Sequence, residues 1–128
     1  MKRRIETDFA PKPVGPYSQG IEWDGWVWCA GMVGLDPRSG QLVEGGVAAE
    51  TERALRNLEA VLDAAGASFA DVVKTTVFLA DIADFTSVNE VYARFFPDPP
   101  PARSTFAVAA LPRGARVEIE AVARSRPR

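Results

Sequence analysis

The sequence predicts an α+β fold: a mixed β-sheet with two helices on one of its faces. Three observations lead there. Segments of strand character occur at 26–33, 72–80, 103–111 and 116–123. Two segments of helical period, 48–65 and the stretch after Asp84, are interleaved with them. The last strand alternates cleanly, so it has one face for a core and one for something else. No internal repeat, low-complexity stretch or composition shift divides the chain, and its 128 residues, 47% hydrophobic, are read as one domain, 1–128.

Each element has a local reason. Residues 11–20, PKPVGPYSQG, are turn-rich and are expected to wrap over the surface before the first strand. WVWCAGMV at 26–33 is a dense apolar run interrupted by Gly31; its continuity predicts a strand buried on both faces. DPRSGQ at 36–41 carries the Asp-Pro and Ser-Gly pairs of a hairpin loop. In the first helix Thr51, Leu55, Leu58, Leu62 and Ala65 form a stripe, and Gly66 is placed to end it. VVKTTVFLA at 72–80 is a β-branched strand. Asp84 is positioned to cap the second helix, whose stripe is Phe85, Val88, Val91, Tyr92 and Phe95. Pro97 stops it, and PDPPPA makes a stiff connection to the next strand. The final two strands are joined by LPRGA. In the last one Val117, Ile119, Ala121 and Ala123 should meet the helices, while Arg116, Glu118, Glu120 and Val122 face away. Neighbouring strands bring apolar residues to that second face, and a subunit interface would cover them.

Composition narrows the chemistry. The net charge is −2 and the pI about 5.2, which gives no electrostatic footprint for nucleic acid. Arg124, Arg126 and Arg128 read as a solvated end. There is one cysteine, Cys29, so no intrachain disulfide forms. With no histidine, a zinc site lacks its usual ligands, and Ser-His-Asp and Cys-His systems lack their base. The N-terminus MKRRIETDFAPKP has no apolar stretch of a signal peptide, and no run is long enough to span a bilayer. A cytoplasmic address without membrane partners is expected.

Acid–base work then falls to carboxylates, tyrosine, lysine or a bound water. Arg103 emerges from the stiff loop onto a strand and offers the planar fork that suits a small carboxylate; the alternative is a surface salt bridge. Glu118 and Glu120 point to the same sheet face and could share a proton or a divalent ion; the alternative is a solvated or interface face. Gly15-Pro16 could present the Tyr17 hydroxyl over a ligand site, or Tyr17 could simply pack on the sheet. Cys29, Met32, Trp23, Trp26 and Trp28 read as packing.

Three stretches in this order resemble the RidA/YjgF family of imine deaminases: GPYSQG at 15–20, VVKTTVFLADIADFTSVNEVYARFF at 72–96 and PARSTFAVAALPRGARVEIEAVA at 101–123. The resemblance runs from about Ala10 to Ala123. It implies a chorismate-mutase-like subunit and a homotrimer whose sheets line a central barrel, with three sites in clefts between subunits. It implies that Arg103, in the P-A-R-S motif, holds the substrate carboxylate. Glu118, opening E-I-E, would position a water with the backbone carbonyl of Thr105. Tyr17 matches the tyrosine of G-P-Y-S-Q, and Gly31 the glycine that gives backbone contacts. Asn89 matches a polar residue lining the site. The implied activity is hydrolysis of 2-imino and 2-enamino acids to 2-keto acids and ammonia, with no metal or organic cofactor. RidA proper usually has S-G-Q where this chain has Ala30-Gly31-Met32, and cysteine where it has Thr105; its loop before the arginine also looks longer. A ligand-binding trimer without turnover is the second reading, and a ribonuclease the third, against which the acidic pI and absent histidine argue.

Overall fold

The computed structural model describes residues 1–125. Arg126 and Arg128, read above as part of a solvated end, lie outside the described residues. Six strands form one sheet: β1 (Arg3–Ile5), β2 (Gly20–Trp23), β3 (Trp26–Val33), β4 (Val72–Leu79), β5 (Ala102–Ala107) and β6 (Val117–Arg124), in the order β1-β2-β3-β6-β4-β5. Only β4 and β5 are parallel, so the sheet is mixed. Two helices, α1 (Gly46–Ala64) and α2 (Phe85–Tyr92), contact each other and cover one face.

The predicted stripes explain that cover. Thr51, Leu55, Leu58, Leu62 and Ala65 are all buried. They meet Val117, Ile119, Ala121 and Ala123, the predicted inward face of β6. Gly66 sits at φ 77°, and the Ala67 N–H returns to the Leu62 carbonyl, which ends α1 as the sequence implied. Polar residues also enter this core with partners. The fully buried Asn57 amide donates to the Val33 and Leu35 carbonyls, fixing the exit of β3 against α1. The buried Glu50 carboxylate accepts the Arg116 backbone N–H.

Several expectations need correction. The segment before residue 26 contains two strands, β1 and β2, and β2 joins β3 through an Asp24-Gly25 turn with both residues at positive φ. β3 is not buried on both faces within one copy: Val27 and Cys29 are buried, whereas Trp26 and Trp28 are 36% and 54% exposed. Trp23 is also exposed, so of the residues read as packing only Cys29 and Met32 lie in the core. Asp84 precedes α2, but its side chain caps nothing; both of its oxygens accept from Arg116 instead. The cap of that turn is Asp81, which accepts from the Ala83 N–H. In the α2 stripe Phe85 is exposed, and Phe96 takes the core position expected of Phe95. β5 stops at Ala107, four residues early.

Candidate active site

β5 is one of the two outer strands of the sheet, and the proline-rich connection 97–101 delivers the chain to it. Arg103 lies opposite Thr75 of β4, a fully buried residue, so its side chain is on the helix-covered face. Its guanidinium carbon stands 4.7 Å from the ring centre of Tyr92 and 5.6 Å from that of Phe85. Among the described residues no carboxylate and no hydrogen-bond acceptor pairs with it. Arg103 and Asn89 line a surface cavity of about 460 Å³ together with Tyr92, Phe96 and Pro101. Thr105, two residues on, shares that face; its hydroxyl is buried and unpartnered, and it does not line the cavity.

A second cavity, of about 430 Å³, holds the other predicted residues: Tyr17, Gly31 and Glu118, alongside Ala30 and Met32. A bulge in β3 builds its floor. Cys29 pairs with Ala121 and Met32 with Ile119, leaving Ala30 and Gly31 opposite a single residue of β6. The bulge brings the Gly31 backbone onto Glu118. A Cβ at Gly31 would collide with the Glu118 carboxylate, its carboxyl carbon lying only 2.8 Å from that position. Burial, and then the negative charge of Glu120, hold the Glu118 carboxyl above the ordinary glutamate range. Glu120 itself is exposed and lines neither cavity, which separates the two glutamates that the alternation pattern left equivalent.

The predicted site residues therefore fall into two groups. Glu118 pairs with Phe78 on the uncovered face of the sheet, whereas Arg103 is on the covered one. Within one copy the backbone of the sheet stands between guanidinium and carboxylate. Cys29, the only thiol, is pushed up to about 12 by burial and is not a nucleophile. Among the described residues no cluster of potential metal ligands occurs, and no helix is long and apolar enough to cross a membrane.

Two residues were missed as functional candidates. Gln19 is buried, and its side-chain amide donates to the carbonyls of Thr7, Ala10 and Pro11 while accepting the Thr7 N–H. It clasps the 7–11 segment to the loop that carries Tyr17. The signal was present: a lone glutamine amid turn residues has few reasons to be there unless its amide satisfies backbone groups. Tyr92 was assigned only to the α2 stripe, although a buried tyrosine needs a partner for its hydroxyl.

Residues 7–125 match the family described as Endoribonuclease L-PSP. Over 123 residues the chain is 54% identical to human 2-iminobutanoate/2-iminopropanoate deaminase, covering 96% of this chain and 90% of that protein. The chain belongs to the RidA/YjgF family. Its similarity to the Arabidopsis thaliana protein Reactive Intermediate Deaminase A, chloroplastic, is 49% identity over 95% of this chain and 65% of that protein. Among solved structures, RidA from the Antarctic bacterium Psychrobacter sp. has a TM-score of 0.92 at 43% identity, covering 95% of this chain and 98% of that one. The E. coli TdcF structure with bound serine has a TM-score of 0.92 at 38% identity, covering 97% and 99%. The α+β architecture with two helices on a mixed sheet is thus that of RidA structures.

Proposed function

We propose that this RidA-family chain is an imine deaminase: it hydrolyses the C=N bond of small 2-imino acids, formed by tautomerisation of 2-enamino acids, to 2-keto acids and ammonia. The observation that carries the reading is the unpaired guanidinium of Arg103, held on aromatic faces with its donors free. A carboxylate is the group that such a fork takes, through two parallel charge-assisted hydrogen bonds. It fits the reading that the human relative is named for the same reaction.

The reaction needs little beyond placement. A water held by Glu118 adds to the imine carbon; the carboxylate takes one proton of the water and returns it to the imine nitrogen, giving a carbinolamine. Glu118 then takes the hydroxyl proton and delivers it to the amino nitrogen, so that the C=O bond forms as the C–N bond breaks and ammonia departs. A glutamate whose proton is held more tightly than usual is the stronger base for the water's proton. Tyr17, Gly31 and Asn89 would line the substrate, and the backbone carbonyl of Thr105 would help hold the water. No resident cofactor enters the scheme, and residues 1–128 act as one domain in the cytoplasm.

Because Arg103 and Glu118 lie on opposite faces, one small substrate cannot touch both in a single copy. The reading therefore includes a homotrimer in which one subunit supplies Arg103 and the next supplies Glu118. The uncovered face carries the apolar surface for this, with Trp28 54% and Phe106 46% exposed. The test mixes two inactive variants, Arg103→Ala and Glu118→Gln, under conditions of subunit exchange. Each composite site then has about one chance in four of receiving both native residues, so about a quarter of native activity should return. The substrate is 2-iminopropionate generated by an amino-acid oxidase. No recovery despite verified exchange, or a stable monomer by light scattering at micromolar concentration, rejects the composite site. Native protein without deaminase activity rejects the function and leaves a ligand-binding trimer.

A further inference from the structure

We propose that Tyr92 is a positioning residue for Arg103, a π-face platform locked in place by Thr75; this rests on Arg103 being the carboxylate clamp. The three residues form a closed loop. Arg103 is the register partner of Thr75 on the neighbouring strand. The Thr75 hydroxyl and the Tyr92 hydroxyl are 2.7 Å apart in a buried hydrogen bond. The ring of Tyr92 then returns to Arg103, 4.7 Å from its guanidinium carbon. Position along β4 and β5, the side-chain bond and the cation–π contact thus define one another.

The platform is backed from behind. Phe96 stacks on Tyr92 with ring centres 4.3 Å apart and planes inclined by 28°. Phe69 meets Phe96 edge-on at 4.9 Å. The Tyr92 ring therefore has no room to swing away, and Tyr92 is only 7% exposed. Burial raises the phenol above its ordinary value, with the Thr75 bond and the Arg103 charge opposing, so it stays protonated.

The arrangement suits a receptor better than an acidic partner would. A carboxylate beside Arg103 would consume the fork that must accept substrate. An aromatic face stabilises the cation and leaves its in-plane N–H donors unused. It also restrains a long side chain before the substrate arrives, so less freedom is lost on binding. A merely structural Tyr92 would affect folding and leave affinity alone.

The experiment combines kinetics, keto-acid titration and proton NMR of the Arg103 side chain. Tyr92→Leu should raise KM and weaken pyruvate binding about tenfold with kcat nearly unchanged, as loss of a desolvated cation–π contact implies. Tyr92→Phe keeps the ring and should restore both to within about twofold. Thr75→Val should match Tyr92→Phe, and the double variant should be no worse than either, since both delete one bond. The Arg103 δ-methylene protons should be shifted upfield by the ring in native protein and in Tyr92→Phe, and not in Tyr92→Leu. That shift is independent of turnover, so it judges the platform even if Arg103 proves not to bind substrate. If Tyr92→Leu does not fold, an unshifted δ-methylene in native protein, or a Thr75→Val effect that adds to that of Tyr92→Phe in the double variant, overturns the proposal. Unchanged KM in a folded Tyr92→Leu also overturns it, provided Arg103→Ala raises KM.

Discussion

The two cavities that hold the predicted site residues solve opposite problems. At the sheet edge, beside α2, a cation is held without a counter-charge, on the faces of Tyr92 and Phe85. In the middle of the sheet, under the β3 bulge, a half-buried carboxyl is held with a like charge near it, and its proton affinity rises. The first device keeps a charge permanently on and its donors free. The second makes a charge conditional. Binding a carboxylate asks for the first, and moving a proton asks for the second.

That contrast predicts different failures. Arg103→Ala should lower kcat/KM at least about a hundredfold, since it removes a charged, two-pronged contact worth about 1.5–3 kcal/mol and the orientation it enforces. Arg103→Lys should recover little, because a point charge cannot reproduce the fork. Glu118→Gln should lower turnover while keto-acid affinity changes little, because only an interaction of the transition state is lost. Paired kinetics and keto-acid titration decide it. If Glu120→Gln is the inactive variant, or if Glu118→Gln loses affinity as Arg103→Ala does, the division of labour is wrong.

The bulge offers a sharper test of the second cavity. Gly31→Ala places a methyl where the Glu118 carboxylate lies. Either the carboxylate or the β3 backbone must move, at a cost of about 1–3 kcal/mol of stability. Activity should fall at least about tenfold even in the folded fraction, because the proposed acid–base group is displaced. Full activity at normal stability would show that the carboxylate's present position is unimportant.

Gln19→Leu comes next. It leaves three carbonyls and the Thr7 N–H without their side-chain partner in a buried place. The expected cost is about 1–3 kcal/mol, with faster proteolysis in residues 7–17 and a rise in KM of a few-fold as the Tyr17 loop loosens. The Arg103 cavity should be untouched, so the Arg103 δ-methylene shift stays native. Proteolysis and KM indistinguishable from native protein would remove the clasp role.

Which parts were legible in the sequence follows the same line. Period-based features were readable: the α1 stripe, the end of α1 at Gly66 and the inward face of β6 all stand as expected. Residues with a distinctive chemical type, Arg103 and Glu118, were readable as candidates. β2 is four residues long and follows directly on the turn-rich 11–20 stretch, so its strand character is weak locally, although Asp24-Gly25 is a strong hairpin signal. The capping role of Asp84 was wrong because a salt bridge with Arg116, distant in sequence, outcompeted the local bond. The exposure of Trp26 and Trp28 is also non-local, since apolar content alone does not say which face of the sheet the helices cover. The separation of Arg103 from Glu118 depends on strand order and register, which no local pattern encodes.

The smallest expected effect is thermodynamic and concerns the conditional charge. The folded state raises the Glu118 carboxyl above its ordinary value of 4.5, through burial first and Glu120 second. The native state therefore binds this proton more tightly than the unfolded chain does. Its contribution is fully present below the unfolded carboxylate range and is lost as pH rises through the folded value. At neutral pH the ionised Glu118 weakens the fold slightly, and glutamine, which never ionises, does not. Glu118→Gln should thus melt about 1–2 °C above native protein at pH 7–8, with the gap closing as pH falls toward 4, at fixed protein concentration. Glu120→Gln should give a smaller gain of the same sign, because it removes only the repulsion. Arg103→Leu should show no such pH-dependent gap, since it removes neither carboxylate. Calorimetry across the pH series decides the matter. A gap independent of pH would mean that the pocket does not change the proton affinity of Glu118, and a Glu118→Gln protein less stable relative to native at pH 8 than at pH 4 would mean that it favours the charged form; either result removes the physical basis of the proton shuttle.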